Sequence, residues 1–147
     1  LRERIHEVLL SNKAIGENIF GTLALCVAYE NCAYYAAQLK EYLVKNLAYV
    51  HQQLRDIPCM KLIEPEGTFL LWIDCREMEL TQPELMRMFV EEAKVGVESG
   101  TDFGDDGMGF VRLNNGCPRA TLEEAFRRIK GGQLFLKASK KSAAIFN

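Results

Sequence analysis

Arg112 lies in Gly109-Phe110-Val111-Arg112-Leu113-Asn114-Asn115-Gly116-Cys117-Pro118-Arg119, a run whose alternation reads as a short β-strand. Phe110, Arg112 and Asn114 share one face of that strand, and Val111 and Leu113 share the other. Arg is seldom buried unless paired, so a guanidinium between apolar strand neighbours calls for a partner. Its planar fork of donors suits bidentate capture of a carboxylate. On spacing alone, an edge-strand Arg reaching solvent or an internal Glu explains it better. The longer string around it changes that balance.

Three ordered blocks make up that string. The first is Glu64-Pro65-Glu66-Gly67-Thr68-Phe69-Leu70-Leu71-Trp72-Ile73-Asp74. The second is Phe89-Val90-Glu91-Glu92-Ala93-Lys94-Val95-Gly96-Val97, followed by Gly100-Thr101-Asp102-Phe103-Gly104. The third is the Arg112 run, continued by Pro118-Arg119-Ala120-Thr121-Leu122-Glu123-Glu124-Ala125. In this order and spacing the blocks resemble the C-terminal small domain of fold-type I pyridoxal-phosphate-dependent aminotransferases. The resemblance is to the class I/II branch that includes cystathionine β-lyase-like C–S lyases, and it runs from about Leu1 to Lys130.

The resemblance implies that Arg112 binds the α-carboxylate of an amino-acid substrate. It also implies pyridoxal 5'-phosphate as cofactor, held mainly outside this chain, and a homodimeric parent protein. Family members carry the cofactor-anchoring Lys, the Asp on the pyridinium nitrogen and the phosphate loop in a large N-terminal domain. Nothing in this sequence reproduces the motif around that Lys. Cofactor chemistry of this type needs that partnership, so the chain reads as a C-terminal fragment, inactive alone.

Other residues admit plainer explanations. Asn114 either orients Arg112 or the substrate, or serves as a strand end. Gly67 and Thr68 resemble the family loop that approaches the substrate side chain, although a turn glycine explains Gly67 without any ligand and is preferred. Trp72, inside an apolar strand, reads as core packing. Asp102, Asp105 and Asp106 lack the spacing of a calcium loop and read as solvated turn residues. Arg119 precedes a helix N-terminus, where a cation is electrostatically poor, so a structural carboxylate partner is expected. Cys117 has no neighbouring His to activate it and reads as a small hydrophobe. Asn18 receives no role.

The chain has 147 residues, of which 48% are hydrophobic, enough for one domain with a core. A net charge of -2 and the lack of a basic stripe argue against nucleic acid as a partner. No apolar run approaches the ~20 residues that span a bilayer, and residues 1–20 lack a signal-peptide pattern. Five cysteines, odd in number and without a CxxC pair, stand beside only His6 and His51. Zinc spacing is therefore absent, and a reducing, cytoplasmic location is expected.

The elements that must position these residues follow from periodicity. Residues 1–12 read as a short amphipathic helix with Ile5, Val8 and Leu9 on one side. From Ile19 to Arg55 the pattern is helical, with Leu39, Leu43, Leu47, Val50 and Leu54 as an apolar stripe and a bend or break near Asn31. Between Leu23 and Ala37 apolar residues occupy much of the circumference, which predicts packing on more than one side and self-association of an isolated fragment. Met60 to Ile63 and Thr68 to Ile73 suit a hairpin with Gly67 at its corner. Thr81-Gln82-Pro83-Glu84 is a capping box for a helix to about Lys94. A short strand over Lys94 to Val97, a loop over Ser99 to Met108 and the Arg112 strand come next. Thr121 and Glu124 read as a second capping box for a helix that Gly131-Gly132 ends.

The order helix–strand–strand–helix–strand–strand–helix predicts a two-layer α/β (α+β) sandwich. Its long N-terminal helix would precede a small, mostly antiparallel sheet covered by helices on one face. Residues 1–18 read as an interdomain segment, 19–132 as the small domain and 133–147 as a tail. The start without Met, in charged helical sequence, favours a truncated chain. The alternative is a non-catalytic ligand-binding or interaction domain that keeps the fold. A self-contained amino-acid sensor would need more than one Arg and a turn.

Overall fold

The computed structural model describes residues 1–12 and 18–132. Two compact units divide at Lys40 and Glu41, within one helix. In the first, α1 (Arg2–Ser11) keeps Ile5, Val8 and Leu9 exposed, and α2 (Ile19–Asn31) exposes Ile19, Phe20, Leu23 and Tyr29. Asn18 is the N-cap of α2: its Oδ1 accepts from the N–H groups of Phe20 and Gly21 at 3.0 and 3.4 Å. That gives this side chain the structural role that periodicity alone did not assign. The expected break falls at Cys32, after which α3 runs over Ala33–Arg55. No described helix is long and apolar enough to cross a membrane.

The second unit holds the sheet. Its strands are β1 (Lys61–Ile63), β2 (Leu70–Asp74), β3 (Glu98–Ser99) and β4 (Phe110–Asn114), in the order β1-β2-β4-β3 with every pair antiparallel. Leu71, Ile73, Val111 and Leu113 point to one face, buried with Val50 and Leu54 of α3, Leu85 of α4 (Gln82–Met86) and Leu122, Phe126 and Ile129 of α5 (Arg119–Gly131). Helices thus cover one face of an antiparallel sheet, the α+β arrangement expected. Phe126 alone, fully buried, removes about 2–3 kcal/mol of apolar surface from water.

The Thr81 box forms: the Glu84 carboxylate accepts from Thr81 N–H at 2.9 Å and from its hydroxyl at 2.6 Å. These bonds hold the Glu84 carboxyl below its ordinary pKa. A π-helical turn, Arg87–Glu92, follows α4.

Three expectations need correction. Lys94 to Val97 is not a strand: Lys94 takes a left-handed φ of 54°, and only Glu98 and Ser99 come into register with Arg112 and Val111. The second capping box does not form, because α5 has Pro118 at its N-cap, three residues before Thr121, which places Thr121 inside the helix. Glu124 instead accepts from Arg127 and Arg128, which hold its carboxyl down to about 2. The hairpin corner is at Thr68, with φ 64°, whereas Gly67 has no left-handed φ.

Candidate functional site

Arg112 stands on the sheet face opposite the helices. Trp72 of β2 and Glu98 of β3 are its register partners on either side. Its Nε donates to the Glu98 carboxylate, and its guanidinium carbon lies 4.4 Å from the centre of the Phe103 ring. The Arg112 side chain is 27% exposed and Glu98 54%. The hydrogen bond and charge of Arg112 hold the Glu98 carboxyl below its ordinary value. The internal Glu that spacing alone allowed is therefore present.

The rest of this face is aromatic. Trp72 meets Phe103 edge-on at 5.5 Å and stacks on Phe110 at 5.6 Å. Arg76 lies 4.8 Å over Phe110 and grips Asp74 through Nε and Nη2, at 3.0 and 2.7 Å. Trp72 is thus not part of the helix-covered core, as expected from its apolar neighbours, but half-buried on the Arg112 face. Strand alternation from Leu71 and Ile73 already placed it there.

The shelf that carries Phe103 is rigid for a steric reason. A Cβ on Gly100 would lie 2.1 Å from Gly107 O, and one on Gly107 would lie 2.0 Å from Gly100 O. Only two glycines let the turns Gly100–Phe103 and Asp105–Gly107 close on each other. Gln82 pins the same region, donating to Ser99 Oγ and Phe110 O and accepting from Gly109 N–H. Asp102, Asp105 and Asp106 are exposed in these turns. No group of three or more His, Cys, Asp or Glu among the described residues could hold a metal ion.

The remaining predicted residues gather at one end of β2 and β4. Asn114 pairs in register with Leu70, and Asn115 N–H donates to Phe69 O at 2.9 Å. Thr68 Oγ1 accepts from Leu70 N–H at 3.2 Å, so Gly67 and Thr68 lead straight into the strand beside Asn114. Asn114 Oδ1 accepts from Gly116 N–H at 2.7 Å, which gives it a strand-end role. The hydrogen bond of Arg112 goes to Glu98 rather than to Asn114. A groove of about 600 Å³ runs from Asn114 and Cys117 to Lys94 and Arg128, but Arg112 does not line it. Burial pushes the Cys117 thiol up, consistent with an unreactive residue.

Two residues behind the site escaped or bent the sequence reading. Asn46 is fully buried and donates through Nδ2 to Asn115 O at 2.8 Å and Cys117 O at 2.9 Å, tying α3 to the segment after the Arg112 strand. The available signal was its place on the apolar stripe, three residues after Leu43 and four before Val50. Among the described residues Arg119 has no carboxylate in an ion pair: it donates to Lys45 O and lies 4.6 Å over the Tyr49 ring. The cation is compensated by a carbonyl and a π-face instead.

This arrangement can bind an anion. It presents a fixed cation on an aromatic shelf. The surroundings of Arg112 therefore fit the carboxylate end of an amino acid.

No family model matches the chain. It is 34% identical over 130 residues to the cystathionine β-lyase PatB of Bacillus subtilis, covering 88% of this chain and 34% of that protein. It is 33% identical over 108 residues to the protein MalY of Escherichia coli, covering 73% and 28%. Among solved structures, a pyridoxal-phosphate-bound putative aminotransferase from Clostridium difficile superposes with a TM-score of 0.78, at 32% identity over 88% of this chain and 34% of that one. Cystalysin from Treponema denticola, which contains pyridoxal 5'-phosphate, superposes with a TM-score of 0.77, at 26% identity over 84% and 31%. Relatives of this chain thus include cystathionine β-lyases and aminotransferases, and the solved structures it resembles include a pyridoxal-phosphate-bound aminotransferase. The chain spans about a third of the length of the relatives it matches, an extent consistent with their C-terminal small domain.

Proposed function

We propose that this chain is the C-terminal domain of a pyridoxal-phosphate-dependent transaminase or C–S lyase, and that Arg112 receives the α-carboxylate of its amino-acid substrate. The observation that carries this reading is the Arg112 guanidinium, seated on Phe103 and bonded through Nε to Glu98 on the open face of the sheet. Holding the carboxylate there fixes the orientation of the Cα–H bond, which is worth more in rate than the binding energy alone. Asn114, Gly67 and Thr68 line the same end of the sheet and complete the substrate side in this reading. The cofactor, when bound, supplies the electron sink that makes Cα–H acidic. Transamination and β-elimination share that first proton abstraction, and this domain serves both alike.

The cofactor's anchoring Lys belongs to a large N-terminal domain in this reading, so the chain alone is inactive. The exposed apolar residues of α1 and α2 support a covering partner, supplied by that domain and by a second protomer of a homodimer. Five cysteines without a CxxC pair suit the cytoplasm. The test is titration of this chain with pyridoxal phosphate, followed by borohydride. We expect no stoichiometric, reduction-stable label at a single Lys; one such label would mean that the chain anchors its own cofactor, against this reading.

A further inference from the structure

We infer that Glu98 is a positioning residue that holds Arg112 by its Nε edge so that the two Nη groups face the substrate carboxylate. This inference rests on the carboxylate role proposed for Arg112. A guanidinium can grip a carboxylate side-on, through Nε and one Nη, or end-on through both Nη groups. Glu98 takes the Nε edge. Phe103 covers one face of the plane at 4.4 Å. What remains for a ligand is the end-on fork.

The supports of this clamp are themselves fixed. Glu98 is locked in register with Arg112 on the next strand, and Ser99 beside it accepts from Gln82 at 2.8 Å. Phe103 is held from below by the edge contact with Trp72 and by the close approach of Gly100 and Gly107. A long side chain with four rotatable bonds is thereby reduced to one orientation before the substrate arrives, which lowers the entropy lost on binding. The opposing effect is repulsion between Glu98 and an incoming carboxylate. Glu98 is 54% exposed, so solvent screens that repulsion, and positioning outweighs it.

A hydrogen-bond role and a charge role separate cleanly in two substitutions. Glu98→Gln keeps an oxygen for Nε and removes the charge, whereas Glu98→Ala removes both. In the full-length protein loaded with pyridoxal phosphate, Glu98→Ala is expected to raise KM for L-cystathionine about fivefold or more, with kcat within about twofold, since a lost positioning bond is worth about 1 kcal/mol or more. Glu98→Gln should stay within about twofold of wild type in both. The dissociation constant of propionate, read by ligand NMR, should follow the same order and needs no turnover. A KM or dissociation constant that is unchanged in Glu98→Ala, or lowered alike in both variants, overturns the inference. Arg112→Ala, run beside them, separates the failures. Weak binding in that variant with no effect of Glu98→Ala refutes only the positioning role, while unchanged binding in Arg112→Ala refutes the carboxylate reading itself.

Discussion

Asn46→Leu tests how the Arg112 strand is anchored to the helical layer. Asn46 Nδ2 supplies the donor for two carbonyls, Asn115 O and Cys117 O, in the segment that leaves β4. Removing that donor leaves both carbonyls without it, and an unsatisfied buried acceptor costs about 1–3 kcal/mol. The Oδ1 of Asn46 is itself buried without a partner among the described residues, and a leucine removes that penalty of similar size. Two losses against one gain leave a net destabilisation of about 1–3 kcal/mol. For a unit of this size, that lowers the melting temperature by roughly 5–20 °C. Trp72 is the sole tryptophan and sits on the sheet of this unit, so its fluorescence reports the relevant unfolding. Asn46→Asp should be worse, because it buries a carboxylate against two carbonyls, at a cost of about 3–5 kcal/mol. A leucine variant that melts with wild type, or an aspartate variant no worse than the leucine, would refute the reasoning.

Two glycines should respond in opposite ways. Gly100→Ala drives a Cβ into Gly107 O and should destabilise by about 2–3 kcal/mol in urea unfolding, while Gly67→Ala meets nothing within 4 Å and should stay within about 0.5 kcal/mol. If Gly67 borders the substrate, its alanine variant raises KM without moving the unfolding midpoint. Asp74 supplies a pH signature. The Arg76 guanidinium, bonded to it, holds its carboxyl below the ordinary value. The stabilisation is therefore complete above the unfolded-state pKa and is lost as pH falls through the lower folded one. Asp74→Asn should cost about 0.5–1 kcal/mol at pH 7, since Arg76 is largely exposed, and the gap to wild type should close in acid melts. A gap that persists at the lowest pH refutes that link.

The parts of this fold that local rules control were legible in sequence. The Thr81–Glu84 box, the break beside Asn31 and the alternation that puts Arg112 opposite Val111 and Leu113 all depend on residues a few positions apart. What escaped depends on distant pairing. Glu98 reaches Arg112 only because β3 lies beside β4, and a two-residue strand has too little alternation to announce itself. The left-handed φ of Lys94 displaced that strand from the apolar run over Lys94 to Val97, where hydrophobicity placed it. Thr121 and Glu124 satisfied the capping pattern, yet Pro118, with its fixed φ, started the helix earlier. Trp72 was misread because hydrophobic content outweighed strand parity; its ring packs on Phe110 and Phe103 instead of on the helices. Asn46 was hidden because a polar residue on an apolar stripe says nothing about which carbonyls await it.

The central claim is that Arg112 binds the substrate α-carboxylate, and the most direct measurement compares kcat/KM of wild type, Arg112→Lys and Arg112→Ala in the full-length, cofactor-loaded protein. Losing a charge-assisted, bidentate pair predicts a loss of about 2–5 kcal/mol in Arg112→Ala, or roughly 30- to 4000-fold, with KM sharply raised. Arg112→Lys should fall between the two, because an ammonium restores the charge without the fork. An Arg112→Ala enzyme with wild-type kcat/KM and KM would contradict the account.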